Sequence, residues 1–261
     1  MNTVAGIDIG SLTAKIVVIK SEDSHLIRKF SKLQKVGYNP SKVAHNLKEE
    51  GLNALKLKNF DYIVSTGYGR RLIDADKIIT EITCHAKGAH YINANVRTII
   101  DIGGQDSKVI RINKTGQVQE FEMNDKCSAG TGRFLEVMAN ALEVEITEFG
   151  THALESTNPV AISNICTVFA ESEVIGRINQ GANRNDVIAG IHSSIASKIS
   201  MLAAKVGVQR EVILTGGVAL NSGVRIMLER NLETPILLPE DPQSIGALGA
   251  ALIAAQAIEK T

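Results

Sequence analysis

Short apolar runs alternate with amphipathic stretches along most of the chain, as in α/β proteins. Residues 4–9 and 14–20 are rich in β-branched side chains, and a turn at 10–13 separates them. This pattern predicts a β-hairpin. Further strands are predicted at 26–33 and 62–65, and helices at 41–55 and 82–89. We therefore expect an α/β fold.

The hairpin pattern occurs a second time, at residues 98–102 and 107–112, followed by a strand at 117–123. The sequence Ile-Asp-Ile-Gly-Ser at 7–11 matches Ile-Asp-Ile-Gly-Gly at 100–104. A repeated strand, aspartate and glycine turn indicates duplicated domains that face one another. We expect a first domain over 1–95, with the C-terminal helix 244–261 packing back on it, and a second domain over 96–243.

Glycine turns follow three of the predicted strands. Asp8 and Asp101 end strands, and a carboxylate there can hold hydrated Mg²⁺ or orient a water molecule. The glycines that follow allow backbone N–H groups to approach phosphate oxygens. A third glycine turn, at Gly216 and Gly217, lies between a strand and a helix, where part of a nucleotide can bind. One glycine pair is most often only a tight turn, but three in matching context favour a nucleotide site.

Composition narrows the class of protein. The 261 residues include 28 basic and 28 acidic side chains, which argues against a nucleic-acid-binding surface. No uninterrupted apolar run reaches the roughly 18 residues of a membrane span. The N-terminus enters a strand pattern at once instead of forming a cleavable signal. We expect a soluble cytoplasmic protein that binds neither nucleic acid nor membrane.

The three cysteines suit metal binding better than disulfides, because their number is odd and the expected compartment is reducing. Cys127 and Cys166 each precede a helical pattern, so we expect two thiolates at helix N-termini, where the helix dipole stabilises negative charge. An iron–sulfur cubane normally takes four cysteines, and this number requires two subunits. Cys84 lies within a helical pattern and is expected to be a buried core thiol.

Five segments together resemble a known family of ATPases. They are Ser-Thr-Gly-Tyr-Gly-Arg at 65–70, Glu-Ile-Thr-Cys-His-Ala at 81–86, Ile-Asp-Ile-Gly-Gly-Gln-Asp at 100–106, and the stretches 124–134 and 166–174. From end to end the chain resembles the activators, or archerases, of 2-hydroxyacyl-CoA dehydratases and the related ATPase subunits of benzoyl-CoA reductase. These belong to the actin, Hsp70 and sugar-kinase superfamily.

The resemblance implies an actin-like ATPase fold, with the nucleotide cleft between two duplicated α/β domains. It also implies a homodimer with one [4Fe–4S] cluster, held by Cys127 and Cys166 of each subunit. ATP hydrolysis with Mg²⁺ would drive a low-potential electron into an iron–sulfur dehydratase or reductase, in anaerobic metabolism. Ferredoxin or flavodoxin would supply that electron.

Site roles follow from this resemblance and from side-chain chemistry. Gln105 is expected to position the hydrolytic water, as glutamine does in small GTPases, and Asp8 and Asp101 to hold Mg²⁺ or activate water. Lys15 suits the phosphates, although an ordinary solvated lysine is the alternative. The predicted nucleotide-binding residues are Gly10, Ser11, Leu12, Thr13, Ala14, Lys15, Gly103, Gly104, Gln105, Gly216, Gly217, Val218 and Gln243.

Other functions remain open on the same fold. The electron could go to a benzoyl-CoA reductase or another double-cluster reductase. A small-molecule kinase would need a substrate pocket and a base aimed at a hydroxyl group, and it would leave the two helix-associated cysteines unexplained. A nucleotide-switched assembly protein of the actin type would make the cysteines incidental. Iron content after anaerobic purification separates an iron–sulfur electron donor from a small-molecule kinase and from an actin-type assembly protein.

Overall fold

The computed structural model describes residues 2–22, 25–125, 127–163 and 166–259. The strands are β1 Thr3–Ile9, β2 Thr13–Glu22, β3 His25–Lys35, β4 Tyr62–Thr66, β5 Lys77–Ile78, β6 Thr98–Ile102, β7 Ser107–Ile112, β8 Val118–Asn124, β9 Val212–Thr215 and β10 Ile236–Leu237. The helices are α1 Pro40–Leu55, α2 Glu81–Ile92, α3 Gly132–Ala141, α4 Phe149–Leu154, α5 Thr167–Asn179, α6 Arg184–Val206, α7 Ser222–Leu232 and α8 Ile245–Ile258. The predicted α/β class is confirmed.

The chain divides into two compact units. The first comprises Met1–Val96, Ile112–Gln119 and Gln243–Thr261, and the second comprises Arg97–Arg111 and Glu120–Pro242. The first unit is built on the sheet of β1 to β5. The second is built on the sheet of β6 to β10, except that the turn joining β7 to β8 is counted with the first.

The sheet of the first unit has the strand order β3-β2-β1-β4-β5. β1 pairs antiparallel with β2 and parallel with β4. Every residue of β1 is buried, as expected for a central strand covered on both faces. The predicted first hairpin is therefore present, and its aspartate, Asp8, lies near the carboxyl end of the central strand.

The sheet of the second unit has the order β10-β9-β6-β7-β8. β6 pairs antiparallel with β7 and parallel with β9. Read from the far edge, β8-β7-β6-β9-β10, this arrangement repeats the first sheet strand for strand. The predicted duplication is confirmed, and Asp101 on β6 occupies the position that Asp8 occupies on β1.

Helix α8 packs closely against the first unit because small residues form the contact. A Cβ atom at Gly6 on β1 would overlap the backbone of α8 at Ala247 and Ala251. A Cβ atom at Gly249 would overlap the carbonyl of Cys84 on α2. Strand β1, helix α2 and helix α8 therefore approach at distances that only glycine permits.

Helix α6 is the core helix of the second unit. Val187, Ile188, Ile191, Ile195 and Ile199 are buried in the same cluster as side chains of the sheet. By length and composition alone α6 could cross a membrane. An 18-residue stretch of this helix has a mean hydropathy of 1.4, and 56% of that stretch is buried inside the protein. Core helices of soluble proteins pass the same test, and the burial of α6 within its unit explains its apolar character.

Helix α2, Glu81–Ile92, confirms the helix predicted at 82–89. The segment between β4 and this helix is not helical. In the structure residues 67–76 form turns, bends and irregular backbone, the short strand β5 follows, and α2 begins at Glu81. Gly67 has φ +87°, a left-handed conformation that glycine adopts without strain and that ends the regular pairing after β4.

Candidate functional site

The first hairpin brings a lysine to its aspartate. Asp8 on β1 lies opposite Lys15 on β2 in the strand register, and Lys15 Nζ is 3.5 Å from Asp8 Oδ2. Only 13% of the Lys15 side chain is exposed, so it is not an ordinary solvated lysine. The turn is closed by the N–H of Gly10, which donates to the carbonyl of Thr13 at 3.0 Å.

Glycines from two other segments adjoin Asp8. A Cβ atom at Gly67 would overlap Asp8 Oδ1. A Cβ atom at Gly246, in the first turn of α8, would lie 3.1 Å from Asp8 Oδ2 and 3.0 Å from His85 Nε2. Any larger residue at these two positions would displace the carboxylate, so the glycines preserve the space around Asp8.

The second hairpin repeats the lysine–aspartate pair in a more buried form. Asp101 lies opposite Lys108 in the register, and Lys108 Nζ is 3.1 Å from Asp101 Oδ2 and 2.9 Å from Asp106 Oδ2. Only 3% of the Lys108 side chain is exposed. Thr215, at the end of β9, donates its hydroxyl to Asp101 Oδ1 at 2.8 Å. Both carboxylate oxygens of Asp101 thus have partners within the protein.

Lys108, Asp106 and Thr215 are absent from the predicted site. The sequence carries a signal for one of them, because Lys15 follows Asp8 by the same interval at which Lys108 follows Asp101. A lysine at this interval lies directly across each hairpin. The contribution of Thr215 has no such signal, since a parallel strand distant in sequence delivers it.

The turn of the second hairpin is bound to the start of α3. Gly132 donates its N–H to the carbonyl of Gly103, and Arg133 donates to the carbonyl of Gly104, both at 2.8 Å. A Cβ atom at Gly132 would lie 3.2 Å from the Gly103 oxygen. The predicted phosphate-binding turn and the first turn of α3 therefore form one continuous hydrogen-bonded element.

The third glycine turn lies beside this element. Gly216 has φ +86°, and a Cβ atom there would lie 3.0 Å from Asp101 Oδ1 and overlap the carbonyl of Ile102. A 3₁₀ turn over Gly217–Leu220 follows it. In the second unit the structure thus brings together Asp101 and the glycines of two predicted nucleotide loops, with Gln105 exposed at the turn.

The remaining predicted nucleotide residues belong to the first unit. The turn between β1 and β2 carries Gly10, Ser11 and Leu12, and Thr13 to Lys15 begin β2. Gln243 lies two residues ahead of α8, where Ser244 is the N-cap. Each unit thus has its own hairpin turn, with an aspartate and a lysine on the two strands that the turn connects.

The two candidate ligand cysteines lie in segments that are bonded to each other. Ser128, which follows Cys127, and Thr167, which follows Cys166, share a hydrogen bond between hydroxyl oxygens of 2.8 Å. Asn124 Nδ2 donates to the carbonyl of Cys127 at 2.8 Å. Cys127 is half-buried and Cys166 is exposed.

The predicted position of Cys127 at a helix N-terminus is wrong. Cys166 is the N-cap residue of α5, as expected. Helix α3, however, begins at Gly132 with Thr131 as its N-cap, and a turn at Ala129–Gly130 separates Cys127 from it. The N–H groups of Gly132 and Arg133 are moreover already bonded to the hairpin turn.

Lys198 supplies positive charge near Cys127 instead. This residue of α6 donates from Nζ to Cys127 Sγ at 3.5 Å. It also lines a cavity of about 430 Å³ that extends from Ala129 and Gly130 along α6. Sequence reasoning could not find it, because 71 residues separate it from Cys127.

Cys84 is a different kind of thiol. It is fully buried on α2, and this burial raises its pKa to about 12, with smaller upward contributions from Asp8 and Glu81 and an opposing one from Thr66. A thiol that resists deprotonation is a poor metal ligand. The prediction of a buried core thiol is confirmed.

Residues 5–254 match the profile of a family described as the BadF/BadG/BcrA/BcrD ATPase family. The chain is 47% identical over 252 residues to the (R)-2-hydroxyglutaryl-CoA dehydratase activating ATPase of Acidaminococcus fermentans, with 95% of each protein covered. It is 46% identical over 250 residues to the 2-hydroxyisocaproyl-CoA dehydratase activator of Clostridioides difficile, covering 95% of this chain and 93% of that protein.

A solved structure supports the same relationship. The activator of the 2-hydroxyisocaproyl-CoA dehydratase from Clostridium difficile, with bound ADPNP, superposes with a TM-score of 0.89 at 44% identity. The superposition covers 99% of this chain and 96% of that one. The similarity therefore extends over nearly the whole chain.

Proposed function

Because the chain belongs to the BadF/BadG/BcrA/BcrD ATPase family, we propose that it couples ATP hydrolysis to one-electron reduction of a partner 2-hydroxyacyl-CoA dehydratase. One observation carries the proposal. The turn at Gly103 and Gly104 is hydrogen-bonded to the start of α3, and the turn at Ala129–Gly130 connects Cys127 to that helix. A change at a phosphate-binding turn therefore has a short covalent and hydrogen-bonded route to a candidate cluster ligand.

The two aspartates have different roles in this proposal. Asp101 is held by Lys108 and Thr215, which makes it a structural anchor for the turn. Asp8 has a longer contact to Lys15 than Asp101 has to Lys108, so its carboxylate is held less tightly and is the better candidate ligand for hydrated Mg²⁺. We assign Asp8 to Mg²⁺ and Lys15 to the phosphates.

Gln105 and the glycine turns complete the nucleotide contacts. The amide of Gln105 is exposed at the tip of the second hairpin, where it can orient a water molecule without titrating. Gly10 to Ala14 and the Gly103–Gly104 pair supply backbone N–H groups for phosphate oxygens. We assign Gly216, Gly217 and Val218 to the nucleoside, and we assign Gln243, ahead of α8, to nucleotide binding.

The thiols fit half of an iron–sulfur site. Cys127 and Cys166 are soft sulfur donors on hydrogen-bonded segments, and an Fe–S cubane requires four such donors. Within the described ranges no group of three or more His, Cys, Asp or Glu side chains could hold a metal ion. We therefore propose that two subunits each contribute Cys127 and Cys166. A [4Fe–4S] cluster held there would supply one-electron redox chemistry.

The partners follow from this assignment. A dehydratase with its own iron–sulfur centres receives the electron, and ferredoxin or flavodoxin supplies it in the cytoplasm. The most similar relatives described above are dehydratase activators, which favours a dehydratase over a benzoyl-CoA reductase as the acceptor. The assay is electron transfer to candidate acceptors with ATP present.

Anaerobic purification followed by iron analysis tests the cluster assignment. We expect about four irons per dimer, and loss of iron in Cys127→Ser and in Cys166→Ser. The matched control is Cys84→Ala, which removes the buried thiol and should keep iron. Full iron content in Cys127→Ser would refute this ligand, whereas an iron-free wild type with ATP-dependent phosphorylation of a small molecule would indicate a kinase.

A further inference from the structure

The contact between Lys198 and Cys127 joins two elements distant in sequence. Lys198 lies in the middle of α6, and its ammonium group donates to Cys127 Sγ at 3.5 Å. The neighbouring residues Ile195 and Ile199 are buried in the core of the second unit. The helix that presents the ammonium group is therefore fixed by core packing.

The aliphatic part of Lys198 is also held in place. Gly130 has φ +91°, and a Cβ atom there would lie 3.2 Å from Lys198 Cδ and 3.7 Å from Cγ. The stem thus crosses directly over the glycine of the cysteine segment, in a space that another residue would occupy. This packing restricts the side-chain freedom that an exposed lysine has, and it directs Nζ to the sulfur atom.

We propose that Lys198 is a positioning residue that acts through Cys127 and makes the cluster easier to reduce. This inference rests on the proposed function, in which Cys127 is a cluster ligand. One-electron reduction adds a single negative charge, supplied by a low-potential reductant, and breaks no bond. An adjacent ammonium group stabilises the more negative state, and hydrogen bonds to sulfur are among the factors that set Fe–S potentials.

The variants to compare are Lys198→Met, Lys198→Gln, Lys198→Arg and Lys205→Met. Methionine keeps an unbranched stem over Gly130 without charge, glutamine keeps a donor without charge, and arginine keeps the charge. Lys205 is an exposed lysine on the same helix, two turns beyond Lys198, so it controls for loss of a lysine from α6. Each variant is reconstituted anaerobically as the full chain, and its iron content is measured first.

A redox titration monitored by electron paramagnetic resonance then gives the midpoint potential. We expect Lys198→Met to disfavour reduction about tenfold, which corresponds to about 59 mV for a one-electron couple. Lys198→Gln should shift the potential in the same direction, whereas Lys198→Arg and Lys205→Met should stay close to wild type. Iron content should be the same in all five proteins.

The outcomes distinguish this inference from the proposed function. Full iron in every variant with an unchanged potential overturns the role of Lys198 and leaves the cluster assignment intact. Loss of iron from both Lys198→Met and Lys198→Gln, but not from Lys205→Met, makes Lys198 necessary for assembly and overturns a tuning role. An iron-free wild type overturns the proposed function and this inference with it.

Discussion

Gly132 donates its backbone N–H to the carbonyl oxygen of Gly103 at 2.8 Å, which joins the first turn of α3 to the hairpin turn between β6 and β7. No side chain takes part in this bond. It depends on the absence of a Cβ atom at Gly132, since that atom would lie 3.2 Å from the same oxygen and 3.4 Å from the Cα atom of Gly104.

Gly132→Ala should weaken the proposed coupling between the nucleotide site and the cluster. The added methyl group has to push the turn or the helix by a few tenths of an ångström, while both binding sites retain their side chains. We expect iron content and ADP affinity close to wild type, but a smaller change in the cluster's paramagnetic resonance spectrum when nucleotide is added. Gly176→Ala on α5 is the control, because its Cβ atom would meet nothing within 4 Å. Equal spectral responses in the two variants would contradict the prediction.

Lys108→Met should destabilise the protein more than Lys15→Met. Lys108 is the more buried lysine and lies between two carboxylates, so its removal leaves buried negative charge, at a cost of about 3–5 kcal/mol. Lys15 has one longer contact, and its loss should mainly weaken nucleotide binding. Urea unfolding of the nucleotide-free variants measures the difference. A Lys15→Met variant as unstable as Lys108→Met would be inconsistent with the geometry.

Gln105→Ala should slow ATP hydrolysis while leaving nucleotide affinity largely unchanged. Its side chain is exposed at the turn, so truncation should not disturb the core, and the loss belongs to the transition state. Steady-state hydrolysis and equilibrium binding of ADP measure the two quantities separately. Gln119→Ala, at an exposed position of β8, serves as the control. If affinity falls together with the rate, Gln105 holds the phosphates instead of water.

Acid should destabilise the second unit through His192. This side chain is fully buried on α6, where burial lowers its pKa to about 4, although its hydrogen bonds to Ile188 and Asn221 act in the opposite direction. Between about pH 6.5 and pH 4 the unfolded chain binds a proton that the folded chain does not, so stability falls as pH falls. The slope is about 1.4 kcal/mol per pH unit, and His192 contributes none above that range.

Urea unfolding of the cluster-free protein at several pH values checks this prediction. His192→Gln removes the titrating group and should flatten the dependence in the same window. His45→Gln, at an exposed position on α1, should leave it as in wild type. The assignment fails if His192→Gln and wild type lose stability in parallel.

Local sequence patterns predicted most of the fold, but they did not predict the contacts between segments that are distant in sequence. The pairs Asp8–Lys15 and Asp101–Lys108 lie within hairpins, so spacing along the sequence alone determines that each lysine lies opposite its aspartate. Ser128 and Thr167 meet across 39 residues, and no periodicity encodes that bond. The position of Cys127 was mispredicted because the turn at Ala129–Gly130 separates it from the N-terminus of α3.

Helix α6 shows a second reason for incomplete prediction. Residues 187–192 of this helix are all buried, so the first half of its pattern has no exposed face to mark where the helix begins. The same difficulty affects the candidate site, because the contact between Lys198 and Cys127 can be recognised only when the position of α6 is known.

The packing of α8 on β1 also constrains the order in which the two units can complete their folding during translation. The backbone of the last helix occupies the space beside Gly6 on the first strand, so the first unit lacks part of its core until the ribosome has synthesised residues 245–258. The elements of the second unit, from β6 to β10, leave the ribosome before that point. During translation the unit that carries the cysteines can therefore be complete before residues 245–258 are available to pack on the N-terminal strands.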